Sequence, residues 1–75
     1  MVKAALKQYE QAEQFYQQAL KIHKQVGEVY HERDTLNNLG NLYKQWGQQS
    51  KAKQYFYQAR EISRKLESGK AKKKP

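Results

Sequence analysis

The chain has no cysteine, one proline, four glycines and no apolar run of bilayer length. Without cysteine there are neither disulfide staples nor thiolate metal sites, the two devices that hold most very small secreted domains together. A reducing, cytoplasmic location is therefore expected. The apolar start, Met1 to Leu6, is broken by Lys3 and is too short for a membrane span or a signal-peptide core, so no membrane insertion is expected. Acidic residues are also scarce, at 7 against 15 basic ones, for a net charge of +8. With 75 residues the chain supports one domain at most. A domain this small buries only about 60% of its unfolded surface.

What is present favours helix. Eleven glutamines and seven alanines outweigh the few helix breakers. One stripe runs Tyr9, Ala12, Tyr16, Ala19, His23, Val26, widened by Phe15 and Ile22, and Gly27 follows it. A second runs Val29, Leu36, Leu39, Tyr43, Trp46, and Gly47 follows it. The third joins Ala52, Phe56, Ala59, Ile62 and Leu66, with Ser50 as its expected N-cap. Steps of three and four put one apolar side chain per turn on a common face, and a glycine just past the stripe is a left-handed stop. The pattern predicts helices at about 5–26, 29–46 and 49–67, making one helical unit over 1–67. Residues 68–75 offer no apolar face and are expected to be a Lys-rich flexible tail. Half the net charge lies in 65–75, where Lys65, Lys70, Lys72, Lys73 and Lys74 face only Glu67.

A shift of 40 residues lays Ala12 on Ala52, Phe15 on Tyr55, Tyr16 on Phe56, Gln18 on Gln58, Ala19 on Ala59 and Ile22 on Ile62. The first and third helices are two versions of one unit, the signature of a stacked helical array.

The stretch from Leu36 to Ile62 resembles a tetratricopeptide repeat in Leu39-Gly40, Tyr43, Gly47, Ala52, Phe56, Ala59 and Ile62. Its spacing resembles the longer, kinesin light chain-like form of the repeat. Leu36 stands where a Trp is common, Gln49 replaces a Tyr and Arg64 the closing Pro. Tyr9 to Ile22 resembles the second helix of a preceding repeat that lacks its own first helix. The resemblance implies an all-α fold: three antiparallel helices of an α-solenoid, about one and a half repeats. A remnant of a longer repeat protein is one reading of that abrupt beginning. Gly40, in mid-helix at a cost of about 1 kcal/mol, is expected to admit a close crossing against Ala52.

Catalysis finds little support. His23 and His31 lack the partner spacing of a metal site, and there is no phosphate loop or nucleophile turn. No enzyme activity, cofactor or metal is expected. Tyr9, Tyr16, Tyr43 and Trp46 fall at core spacing, while Tyr30 and Tyr57 are expected to be more exposed. The polar side of the second helix carries Asn37, Asn41, Lys44 and Gln45, and the resemblance implies that such positions line a concave peptide-binding face. Phe15, Tyr16, Leu20 and Ile22 on the first helix are expected to lack a cover and to support self-association as a homo-oligomer. The expected function is a non-catalytic protein-interaction scaffold with a protein or peptide partner. The alternative is a small basic protein that binds nucleic acid weakly, drawn from the charge and from Lys51, Lys53, Arg60 and Arg64.

Overall fold

The computed structural model describes the backbone from Lys3 to Lys73 and the side chains of residues 6–68. Three helices follow one another: α1 (Lys3–Val26), α2 (Val29–Trp46) and α3 (Gln49–Lys73). Both connections are two-residue turns closed in the same way. Gly27 and Gly47 take left-handed backbone angles, φ 75° and 86°. Past each glycine the next amide returns to the preceding helix: Glu28 N–H to the His23 carbonyl at 2.9 Å, Gln48 N–H to the Tyr43 carbonyl at 2.8 Å. This bond satisfies carbonyls that a helix end leaves open and turns the chain back on itself. The glycines are needed because a side chain at that φ meets its own backbone.

The turns make neighbouring helices antiparallel, with α2 in the middle, packed against α1 on one side and α3 on the other. The slab measures 56 × 24 × 11 Å, about one helix thick. Its core is one cluster: Leu20 from α1, Leu36, Leu39, Leu42 and Tyr43 from α2, and Ala52 and Ala59 from α3. Leu39 is 0% exposed. The alanines are as informative as the leucines, since small residues on α3 let α2 approach closely.

Three details differ from the sequence-based expectation. The close crossing at Gly40 is made by Phe56 and not by Ala52. A Cβ placed on Gly40 would stand 2.6 Å from the Phe56 ring. In an antiparallel pair, residues meet when they lie equally far from the turn. Gly40 lies about two helical turns before Gly47 and Phe56 about two after it, whereas Ala52 lies level with the last turn of α2. Ser50 is not the cap of α3, because the Gln48 carbonyl already accepts from Ala52 N–H at 3.0 Å and Ser50 falls inside the helix. Finally, α3 continues past the expected end at 67 to Lys73, through Ser68 and Gly69 and on into Lys70, Ala71 and Lys72, the last three being good helix formers. The flexible-tail expectation for residues 74–75 lies outside the described residues.

Candidate functional site

The seam between α1 and α2 is built of rings and polar contacts. Tyr43, 2% exposed, sits where the three helices meet. Its hydroxyl donates to the Glu13 carboxylate on α1. Its ring stacks on Trp46 at 5.9 Å and on Tyr55 of α3 at 5.3 Å, and Trp46 stacks in turn on Tyr9 at 5.5 Å. Tyr9 hydroxyl donates to the Gln45 carbonyl at 3.3 Å, and the Gln17 amide donates to the Tyr55 hydroxyl at 2.9 Å, tying α1 to α3. Burial first, and the Glu13 carboxylate second, hold the Tyr43 phenol well above the ordinary tyrosine range. It is a fixed donor that sets the register of α2 on α1, poorly suited to giving up its proton.

Nearer the first turn, His23 and His31 stack with ring centroids 5.4 Å apart. The buried His23 Nδ1 has no hydrogen-bond partner, and the Glu28 carboxylate stands 3.7 Å from it. Sequence inspection treated the two histidines separately. Counting outward from Gly27 would have paired them, since each lies one turn from it. The described residues hold no group of three His, Cys, Asp or Glu able to bind a metal ion. None of the described helices is long and apolar enough to cross a membrane.

Asn37, Asn41, Lys44 and Gln45 are all exposed on α2. Asn37, Asn41 and Lys44 share a stripe, being four and three residues apart, and Gln45 follows Asn41 by four at its edge, its backbone carbonyl accepting from the Tyr9 hydroxyl. On α1, Phe15 and Ile22 are 68% and 55% exposed and border a depression of about 250 Å³ with Gln18, Ala19 and His23. Tyr16 is half-buried against the core. Leu20, expected on the same open face, is instead in the core at 7% exposure, because it points to α2. Tyr30 and Tyr57 are 50% and 64% exposed, as their spacing suggested.

A further surface lies on α3. Three shallow depressions of about 350, 210 and 270 Å³ share Phe56 as a wall. The first is completed by Asn37, Ala59, Arg60 and Ser63, the second by Lys44, Gln49, Ala52 and Lys53, and the third by Lys53, Tyr57 and Arg60. None of the ion pairs among the described residues involves Lys44, Lys53 or Arg60. The 40-residue shift was the signal for this face, since it relates α3 to a helix whose packing is visible in the same molecule.

Antiparallel helices joined by glycine turns and repeating at a fixed offset define a stacked helical repeat, a class built to present surfaces to other proteins. The tetratricopeptide repeat model matches residues 1–65, and the chain belongs to the tetratricopeptide repeat family. No curated protein and no solved structure matches the chain.

Proposed function

We propose that the chain is a non-catalytic interaction scaffold that holds an extended, acidic peptide along α2 through Asn37, Asn41 and Lys44. The observation that carries this reading is the exposed stripe of two amides and one ammonium on a helix whose opposite side is fully committed to the core. Amide side chains can both donate to and accept from a peptide backbone, and Lys44 supplies a charge-assisted bond to a carboxylate. The net charge of +8 favours acidic ligands at long range. Asn41→Ala should weaken such a peptide by about 1 kcal/mol, or several-fold, while leaving the melting curve unchanged. Unchanged affinity in a titration of an acidic peptide library would remove Asn41 from the contact.

A second reading rests on Phe15, Ile22 and Val26, all more than half exposed on α1. Together they offer an apolar strip through which two copies can associate. Light scattering across protein concentration and salt tests it: a dimer that persists at high salt supports apolar association, and a monomer at every concentration rejects it. The nucleic-acid alternative draws on the net charge and on the cations of α3 and is not favoured. A cytoplasmic location and the long-loop form of the repeat remain part of the proposal.

A further inference from the structure

The exposed stripe of α2 is longer than its two asparagines and Lys44. Tyr30, Asp34, Asn37, Asn41 and Lys44 are all exposed and follow one another by four, three, four and three residues, one side chain per turn. The core that α1 and α3 build on α2 lies on the other side, at Leu36, Leu39 and Tyr43. The stripe is thus set by how α2 itself is seated, with a helix packed on either side of it.

Its two ends carry opposite charge. Lys44, in the last turn, takes part in none of the ion pairs among the described residues. Asp34, nearer the first turn, has its side chain 64% exposed. Its ion-pair partner is the adjacent Arg33, whose guanidinium reaches Oδ1 at 3.3 Å and lies over the Tyr30 ring at 5.4 Å. Exposed pairs of this kind hold a carboxylate weakly, and the second oxygen is open to a ligand. Arg60, which lines a depression with Asn37, forms no ion pair with Asp34. A cation in a last turn complements the helix dipole, which accounts for Lys44. The dipole does not account for Asp34, which stands beyond the first turn of a helix that begins at Val29.

Asp34 and Lys44 lie about 15 Å apart along the axis. An extended chain covers that span in about four to five residues at roughly 3.3 Å each. A uniformly acidic peptide that satisfies Lys44 brings its next carboxylate against Asp34, where like charges repel. A peptide with a carboxylate at one end of the span and a cation at the other answers both, while the amides of Asn37 and Asn41 meet the backbone between them. Tyr30, 50% exposed one turn before Asp34, offers apolar surface to the stem of the basic side chain.

We propose, resting on the peptide-binding role given to α2 above, that this stripe selects a charge-ordered peptide: an acidic residue at Lys44 and a basic residue, about four to five positions away, at Asp34. A second copy of the chain is a poor occupant. Two stripes laid antiparallel would pair Asp34 with Lys44, but each copy carries +8 and Tyr30 is the only ring on the stripe, too little for the apolar centre of an interface.

The probes are four capped peptides sharing one uncharged serine-threonine spacer of that length: Glu then Arg, Arg then Glu, Glu at both ends, and Ala at both ends. They are titrated against the full chain at about 0.15 M salt, where long-range attraction to the net charge is screened. One of the two bipolar orders is expected to bind several-fold more tightly than the doubly acidic peptide, because an attractive exposed pair replaces a repulsive one. Asp34→Lys should invert that ranking and make the doubly acidic peptide the tightest. Asn41→Ala should weaken every peptide by a similar factor and leave their order unchanged. Asp34 and Asn41 are exposed, so helicity by circular dichroism should be unchanged in both variants. Binding that needs Asn41 but ranks the doubly acidic peptide level with or above both bipolar orders would overturn the charge order and leave the peptide stripe standing. Saturable binding of no peptide, or binding indifferent to Asn41→Ala, would overturn the stripe and the charge order together. A ranking unmoved by Asp34→Lys would overturn the role of Asp34. So would a dimer of the chain alone that dissociates on Asp34→Lys, because the occupant would then be a second copy.

Discussion

The two seams that hold α2 are made differently. Against α3, α2 brings Gly40 under the Phe56 ring, packs its leucines over Ala52 and Ala59 and adds one ring stack, Tyr43 on Tyr55, so close packing governs this side. Against α1, stacked rings and directed bonds govern: Tyr9 on Trp46, His23 on His31, Tyr43 to Glu13. A shape-governed seam accepts little change, because close-packed interiors have no slack. The polar seam specifies register through a few directed partners and can be altered by exchanging them in pairs. At the same places of the repeat, α3 carries Lys53 and Arg60 where α1 carries Glu13 and Leu20.

Leu39→Ala should break both seams at once. The side chain is fully buried, and such truncations cost about 2–5 kcal/mol. A chain of this length is stabilised by only roughly 4–11 kcal/mol. A urea melt followed by circular dichroism should show the midpoint falling sharply, and an unmoved midpoint would show that the core is not centred there.

Tyr43→Phe separates the seams, keeping the rings and removing the bond to Glu13. It should cost about 1–3 kcal/mol near neutral pH, because the acceptor is a charged group. The pH dependence gives a second check. The folded-state pKa of Tyr43 is raised above its unfolded value. Its contribution is therefore fully present below about pH 10, the unfolded tyrosine value, and is lost as pH rises from there toward the folded value. The stability gap between the parent and Tyr43→Phe should narrow over that window in melts at stepped alkaline pH. A gap that stays constant would mean that Tyr43 titrates no differently once folded.

The smallest effect has the sharpest sign. Gly40→Ala gains up to about 1 kcal/mol of helix propensity but drives a methyl into the Phe56 ring, an overpacking worth about 1–3 kcal/mol. A net loss of about 1 kcal/mol is expected. In a Phe56→Ala background the clash is gone, and the same substitution should become stabilising. Additive behaviour in that double-mutant cycle would show that the two residues do not touch.

Much of this was open to inspection in the chain itself. Apolar spacing placed three helices, the glycines after Val26 and Trp46 placed the turns, and the 40-residue shift showed that α1 and α3 are one unit. These are local or periodic properties, written in the order of residues. The exposure of Asn37, Asn41, Lys44 and Gln45 was legible for the same reason, because a helix rotates its residues by about 100° each. Phe56 over Gly40, Leu20 in the core and the pairing of Glu13 with Tyr43 were less visible, because each depends on how far two helices lie from a shared turn and at what angle they cross.

The sequence by itself determined the class of fold, the two reversals of direction and the charge that any partner must answer. Those follow from backbone preferences at single glycines and from side-chain periodicity, which need no long-range contact. Tertiary structure alone decided which side of each repeated helix α2 covers. Tyr9, Glu13, Leu20 and His23 are used up because α2 folds back onto them. Gln49, Lys53, Arg60 and Ser63 stand at the same places in the repeat, but on α3 the residues that α2 covers are Ala52, Phe56 and Ala59 beside them.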